Sequence, residues 1–173
     1  DNHFQLDASQ ILNRLTPNTK LIIINTPNNP SGAIYDKNEL VKLAKGAAAK
    51  GVYILSDEVY ETITFNGKEH YSMASDPSVF DYLISVYSFS KTHSMTGWRI
   101  GYIVASKTLI DEFLKLSQFS ITSLAPFNQM AALTALSEPE VLQYSESMRA
   151  EYESRKNHII EKIRGTWLEK AIT

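Results

Sequence analysis

Short apolar runs alternate with an amphipathic stretch in the first third of the chain. Residues 20–25 form a β-branched run closed by prolines and asparagines, which predicts a buried strand. Residues 36–50 place Leu40 and Leu43 on one face at helical spacing, together with three alanines, and predict a helix. Residues 52–56 predict a second strand. A strand, a helix and a strand joined in this order form a parallel, right-handed unit.

The ends of the predicted helix carry their own signals. Asp36, followed three positions later by Glu39, resembles a capping box, in which each residue satisfies a backbone N–H of the other. Gly51 stands where the helix should end. We therefore expect this helix to have defined boundaries.

Further along, the pattern predicts two more strands. The third covers residues 82–87, after a polar stretch, and the fourth covers residues 99–105. The segment between Lys91 and the fourth strand is shorter than the roughly dozen residues that a parallel crossover needs, so the fourth strand should be antiparallel. Helices are predicted at residues 109–116, 126–136 and 139–162. The fold class is therefore α/β, with a mostly parallel sheet and one antiparallel strand.

Composition narrows the function classes. The 173 residues are 43% hydrophobic, which suits a globular core, and the formal net charge of −2 without a basic stripe argues against nucleic acid or an anionic membrane as a partner. No apolar run approaches the roughly 20 residues that span a bilayer. The absence of cysteine excludes disulfides and thiolate metal sites and is consistent with a reducing, cytoplasmic location. The four histidines lack metal-ligand spacing, so we predict no metal site.

Three polar motifs follow the predicted parallel strands. They are NTPNNPSG at residues 25–32, SDEVY at residues 56–60, and SFSKTHSMTGWRIGY at residues 88–102. The carboxyl ends of parallel strands share one edge of a sheet, where α/β proteins bind ligands. In the third motif, the Lys91 amine can condense with an aldehyde, and nearby hydroxyls and an arginine suit a phosphate. These features predict a site for pyridoxal 5'-phosphate.

In this order, the motifs resemble those of the class I/II aminotransferases, which are fold-type I pyridoxal phosphate enzymes. The resemblance implies a three-layer α/β/α large domain whose seven-stranded sheet has one antiparallel member. It also implies that the chain is a central fragment, since it opens like the interior of a longer sequence. Residues 1–138 would belong to the cofactor-binding large domain, and residues 139–173 to a long helix leading toward a small domain. The full-length protein would be a homodimer.

The resemblance assigns the catalytic roles to Lys91, Asp57 and Tyr60. Lys91 would bind the cofactor covalently and move the proton of the substrate Cα. Asp57 would pair with the pyridinium nitrogen and keep it protonated. The reaction implied is exchange of an amino group between an amino acid and a 2-oxo acid.

The remaining cofactor contacts follow from the same resemblance. Asn29 and Tyr60 would bind the phenolic oxygen of the cofactor. Ser88, Ser90 and Arg99 would hold its phosphate, with the arginine as a bidentate donor. Gly97 and Gly101 are expected to allow close backbone packing around Arg99, as Gly32 is expected to allow a tight turn.

Several alternatives remain open. C–S lyases, decarboxylases and cyclopropane-forming synthases share the lysine and the aspartate. The chain also fits an aminotransferase-like effector module of a transcription regulator, or an inactive relative used for association. Aspartate, aromatic amino acids, alanine and methionine are all possible substrates. Because the resemblance places other essential segments outside this sequence, we expect the chain alone to be inactive or nearly so.

Overall fold

The computed structural model describes residues 4–171. The helices are α1 (Ala8–Arg14), α2 (Lys37–Ala48), α3 (Phe89–Thr92), α4 (Lys107–Ser120), α5 (Pro126–Ser137) and α6 (Pro139–Ile163). The strands are β1 (Leu21–Asn25), β2 (Tyr53–Asp57), β3 (Leu83–Ser88) and β4 (Gly101–Ala105). Short 3₁₀ turns occur at Met73–Ser75, Pro77–Tyr82, Thr96–Trp98 and Trp167–Ala171.

The four strands form one sheet in the order β1-β2-β3-β4. β1, β2 and β3 are parallel, and β4 is antiparallel to β3. The predicted α/β class, the four strands and the antiparallel direction of β4 are confirmed. Since strand order follows chain order, the three motifs that follow β1, β2 and β3 lie next to each other.

Helix α2 covers one face of the sheet. Its side chains Leu40 and Leu43 are fully buried against Ile24, Ile54 and Leu83 of the first three strands. Burial of these side chains drives the packing of α2 on the sheet, as the helical spacing predicted. Side chains alternate between the two faces along each strand, so every second residue lies on the face opposite α2. On that face, Leu21, Ile23 and Ile103 are 42%, 69% and 43% exposed.

The ends of α2 only partly follow the predicted capping box. The Asp36 carboxylate accepts from the backbone N–H of Asn38 at 2.8 Å and of Glu39 at 3.3 Å, which is the predicted cap. The Glu39 carboxylate instead accepts from the N–H of Ala8 at 2.7 Å. The reciprocal bond was therefore predicted wrongly, because α1, which the sequence pattern did not reveal, offers an unpaired N-terminal N–H to this carboxylate.

Two of the glycine expectations are confirmed and one is wrong. Gly32 has φ +72° and donates to the Asn28 carbonyl at 2.8 Å, which closes a tight turn. A Cβ on Gly101 would lie 2.5 Å from the Tyr87 carbonyl oxygen, so the backbones are in close contact there. A Cβ on Gly97 would meet nothing within 4 Å. Close backbone packing is thus a property of the β3–β4 pair and not of the turn that precedes β4.

The helices in the second half match their predicted positions and are longer than predicted, with α4 extending over Lys107–Ser120. α3 carries Lys91 and was not predicted. No helix within residues 4–171 is long and apolar enough to cross a membrane.

Candidate active site

The carboxyl ends of β1, β2 and β3 lie side by side. Asn25, the last residue of β1, pairs in register with Asp57, the last residue of β2, and Asp57 pairs with Val86 of β3. The segments that follow these ends carry Asn29, Tyr60 and, in helix α3, Lys91. The predicted convergence of the three motifs at one edge of the sheet is confirmed.

A hydrogen bond links the first two motifs. The amide Nδ2 of Asn29 donates to the hydroxyl oxygen of Tyr60 at 3.1 Å. Asn29 is held in place by its own backbone N–H, which donates to the Asn25 side-chain oxygen at 2.9 Å. Asn29 is exposed and Tyr60 half-buried, so this pair of donors is reachable from solvent.

Asp57 is held mainly through its backbone. Its carbonyl accepts from the N–H of Thr26 at 3.1 Å and from the side-chain amide of Asn25 at 3.2 Å. Its carboxylate oxygen Oδ1 accepts from the N–H of Val59 at 3.3 Å, which forms a turn leading to Tyr60. The carboxylate is thus oriented by the chain itself at the end of β2.

Lys91 lies in the short helix α3, directly after β3. The hydroxyl of Ser88 caps this helix by accepting from the N–H of Ser90 at 3.1 Å, and Phe89, only 3% exposed, anchors it in the core. Lys91 itself is exposed, and its Nζ lies 6.0 Å from the centroid of the Tyr60 ring. The amine therefore extends over the phenol that Asn29 binds.

The structure brings Arg99 close to this edge only through its backbone. β4 begins at Gly101, which pairs with Ser88, and Phe89 donates to the Ile100 carbonyl at 3.3 Å. The guanidinium of Arg99 is exposed and donates to the Thr96 carbonyl at 3.0 Å. In this structure the arginine thus binds its own turn and not a hydroxyl of the third motif.

An open, largely apolar groove of about 750 Å³ runs past Lys91. Its walls come from the segment after Tyr60, from the region around α3 and from α6; the α6 residues are Tyr152, Arg155, Lys156, Ile159 and Ile160. The α6 residues were not predicted as site residues. The sequence did contain a signal for them, since Tyr152 and Ile159 recur on one side of the predicted helix.

Helix α6 is attached to the segment after Tyr60 by polar contacts. The Glu153 carboxylate accepts from the N–H of Asn66 at 2.6 Å, and Lys156 Nζ donates to the Asn66 side-chain oxygen at 2.8 Å. Arg149 donates to the Thr64 carbonyl at 3.1 Å and to Glu153 at 3.0 Å. The bonds from Asn66 and Arg149 hold the pKa of Glu153 below its ordinary value. These contacts fix one wall of the groove.

A buried polar cluster lies under the same edge and was also not predicted. Glu58, fully buried, has its Oε2 2.8 Å from Nε2 of His70 and accepts from the Tyr87 hydroxyl at 3.3 Å. Burial raises the pKa of Tyr87 to about 12, although its hydrogen bond with Ser72 lowers it and Glu58 raises it further. Glu58 belongs to the SDEVY motif, and strand alternation after Asp57 is the signal that could have placed it on the buried face.

In residues 4–171, no group of three or more histidine, cysteine, aspartate or glutamate side chains could hold a metal ion.

Comparison with known proteins agrees with the fold and the motifs. The family model for aminotransferase class I and II matches residues 1–170. The chain is 38% identical to aromatic-amino-acid aminotransferase 2 of Thermococcus litoralis, covering 94% of this chain and 42% of that protein. It is 40% identical to the aspartate aminotransferase of Geobacillus stearothermophilus, covering 94% of this chain and 41% of that protein.

Solved structures give the same result. The aromatic aminotransferase from Pyrococcus horikoshii OT3 superimposes with a TM-score of 0.88 at 34% identity, covering 94% of this chain and 43% of that one. The aspartate aminotransferase from Thermus thermophilus with maleate gives a TM-score of 0.87 at 34% identity, covering 93% and 42%. The chain therefore belongs to the class I and II aminotransferases. It spans about two fifths of the length of these relatives.

Proposed function

We propose that this chain supplies the central part of the active site of a pyridoxal phosphate-dependent aminotransferase, which exchanges an amino group between an amino acid and a 2-oxo acid. The observation that carries the proposal is the arrangement of Asn29, Tyr60 and Lys91. The amide binds the phenol at 3.1 Å, and the lysine amine lies 6.0 Å from the same ring, at the edge that ends in Asp57.

The donor set fits pyridoxal phosphate. The cofactor needs an amine to anchor its aldehyde, a carboxylate for its ring nitrogen, donors for its phenolic oxygen and cationic or hydroxyl groups for its phosphate. The three neighbouring motifs supply each of these groups. When bound, the cofactor supplies an electron sink for the negative charge that develops at the substrate Cα.

The residues of this chain have distinct roles in the proposed reaction. The Lys91 amine accepts the proton from the substrate Cα and later returns one, which requires an exposed and flexible amine. The Asp57 carboxylate, oriented by the Val59 N–H, would hold a proton on the ring nitrogen of the bound cofactor. Asn29 Nδ2 and the Tyr60 hydroxyl would donate to its phenolic oxygen and favour the anionic form of that oxygen.

The phosphate would be held by Ser88, Ser90 and Arg99. Ser88, the last residue of β3, and Ser90, in α3, are half-buried and come just before Lys91 in the chain. Arg99 would exchange its bond with the Thr96 carbonyl for a bidentate one with the phosphate, because the phosphate is an anion with several acceptor oxygens whereas the carbonyl is a single neutral acceptor.

The relatives support an aminotransferase over a lyase or a regulator. Those described above carry aminotransferase names, and two are named for aromatic amino acids and two for aspartate. We propose substrates of one of these two kinds. We further propose that residues 1–138 belong to a cofactor-binding large domain, that residues 139–173 lead toward a small domain, and that the full-length protein is a cytoplasmic homodimer.

Covalent trapping tests the proposal. The chain is incubated with pyridoxal phosphate and reduced with borohydride, and the adduct is located by peptide mass spectrometry. We expect the label on Lys91, its loss in Lys91→Ala, and its retention in the control Lys107→Ala, since Lys107 is exposed at the start of α4 and does not line the groove. Label spread evenly over many lysines, or equal labelling of Lys91→Ala and the parent, would contradict the assignment.

A further inference from the structure

Glu58 stands between Asp57 and Tyr60 in the chain, yet its side chain points to the other face of the sheet. Asp57 lies at the site edge, whereas Glu58 is 0% exposed. A buried carboxylate is strongly unfavourable unless it is paired and hydrogen-bonded. Its presence in the turn that delivers two site residues therefore needs an explanation other than packing.

The partners of Glu58 are themselves buried. The His70 side chain is 4% exposed, and its Nε2 lies 2.8 Å from Glu58 Oε2. A contact this short needs a proton between the two atoms. We place it on Nε2, because Oε2 also accepts from the Tyr87 hydroxyl at 3.3 Å. The Tyr87 oxygen in turn accepts from the Ser72 hydroxyl at 2.9 Å.

Of the two carboxylate oxygens of Glu58, only Oε2 makes these contacts. Within the described residues, Glu58 Oε1 and His70 Nδ1 are buried without a hydrogen-bond partner. His70 therefore makes the shorter contact with this carboxylate, at 2.8 Å, and Tyr87 makes the longer one, at 3.3 Å. Loss of the His70 donor would leave Glu58 under-paired in a low-dielectric environment.

The backbone of Glu58 transmits its position to the site. Its N–H donates to the Val86 carbonyl at 2.9 Å, and its carbonyl accepts from the N–H of Glu61 at 3.0 Å. The N–H of the next residue, Val59, donates to the carboxylate of Asp57 at 3.3 Å. A shift of the Glu58 backbone would consequently move both the Asp57 carboxylate and the ring of Tyr60.

We propose that Glu58 and His70 form a buried hydrogen-bonded pair, supported by Tyr87, that positions Asp57 and Tyr60 for the cofactor from beneath the sheet. Glu58 and His70 are positioning residues, since neither reaches the groove. The charged groups nearest the pair include Glu61, whose pKa is raised by its own burial and by Glu58 and lowered by His70. The effect of this pair on cofactor binding rests on the proposed function. Its effect on the turn between Asp57 and Glu61 does not.

Three substitutions at His70 separate a hydrogen bond from packing. His70→Gln keeps an N–H donor near the position of Nε2, His70→Leu fills a similar volume without a donor, and His70→Ala removes both. The first readout is the pyridoxal phosphate concentration that half-saturates borohydride-trapped label on Lys91. We expect His70→Leu and His70→Ala to raise it by about tenfold or more, as for loss of a hydrogen bond to a charged group, and His70→Gln to stay within roughly threefold.

The second readout needs no cofactor. Amide hydrogen exchange reports on the turn through the N–H groups of Glu58, Val59 and Glu61, with Ile54, which pairs with strands on both sides of β2, as the internal reference. We expect His70→Leu to accelerate exchange at the turn relative to Ile54 by about tenfold, and His70→Gln to leave it near the parent value. Equal exchange in the leucine variant and the parent would overturn the proposal.

A weaker variant covers the case in which His70 substitutions prevent folding. Tyr87→Phe removes only the phenol donor and keeps the ring, which stacks on Tyr102 at 4.8 Å between centroids. We expect both readouts to change in the same direction by about threefold, as suits a longer bond. If the His70 variants do not fold, unchanged values in Tyr87→Phe would refute the pair as a positioning device, and if they fold, failed rescue by His70→Gln would do so. If the parent is not labelled at Lys91, the proposed function fails, and the exchange comparison alone decides this inference.

Discussion

At Gly101, a single missing side chain lets two strands meet. It opens β4 opposite Ser88, the last residue of β3, and any Cβ there would lie 2.5 Å from the Tyr87 carbonyl oxygen. The neighbouring Gly97, in the turn before β4, has no such restriction. The two glycines look equivalent in the motif SMTGWRIGY, but only one of them is required by packing.

Gly101→Ala should therefore destabilise the chain, and Gly97→Ala should not. We expect Gly101→Ala to cost about 1–3 kcal/mol in the free energy of unfolding, because the strand pair must shift to admit the methyl group. Gly97→Ala should remain within about 0.5 kcal/mol of the parent. Urea unfolding followed by circular dichroism measures both. Equal stabilities of the two variants would show that the β3–β4 pair yields easily.

Asp57 and Glu58, two consecutive residues, differ in whether the sequence predicted their roles. Asp57 was predicted as a site residue from its motif and its place at a strand end, and it does lie at that edge. Glu58, the next residue, was not singled out, because its partners His70 and Tyr87 lie 12 and 29 residues away in the chain. A contact between such distant positions has no local pattern in the sequence.

At the scale of elements, the strands were predictable and α3 was not. Each strand is an apolar run with clear ends, whereas α3 has only four residues, too few to show a helical period. It forms because Ser88 caps it and Phe89 is buried. The helix that presents Lys91 is thus produced by tertiary packing at the end of β3.

Helix α6 depends on charge at its contact with the segment after Tyr60. Glu153 accepts from Asn66 and Arg149, and these bonds hold its pKa in the folded chain below the ordinary value for glutamate. A carboxyl group of this kind contributes stability that is present above its unfolded pKa and is lost as the pH falls through its folded pKa. The attachment of α6 should therefore weaken in acid.

Glu153→Gln should remove this pH dependence. We expect the thermal midpoint of the variant to lie below that of the parent at pH 7, and the gap to shrink at pH 3, where the parent carboxyl is also being protonated. Glu151→Gln is the matched control. Among the contacts within the described residues, Glu151 pairs only with the exposed Arg155, one turn further along the same helix. A gap of equal size at both pH values would show that the contact does not act through charge.

At the scale of the whole molecule, the two faces of the sheet differ. Ile24 is 6% exposed beneath α2, whereas its neighbour Ile23 is 69% exposed on the opposite face with Leu21 and Ile103. Exposed apolar side chains on this face can bind other apolar molecules or promote association. The isolated chain should therefore bind the dye ANS in its folded state.

The same substitution at two adjacent positions tests this asymmetry. Ile24→Thr should destabilise the chain by about 2–3 kcal/mol, because it removes buried apolar volume and buries a hydroxyl. Ile23→Thr should change stability by less than about 0.5 kcal/mol and reduce ANS fluorescence of the folded chain. Urea unfolding and dye titration measure the two effects. A large loss of stability in Ile23→Thr would mean that this face is packed in solution.

The sequence by itself determined the strands, their directions and the edge at which Asn29, Asp57 and Lys91 would meet. These features depend on local periodicity, loop length and strand-end motifs, and each of these signals lies within a short continuous segment of the sequence. Only the tertiary structure decided that Glu39 binds α1, that Arg99 turns to Thr96, that α6 forms a wall of the groove, and that Glu58 pairs with His70. The physical reason is that a polar side chain takes whichever partner the folded chain brings within hydrogen-bond distance, and that choice depends on contacts between segments far apart in sequence.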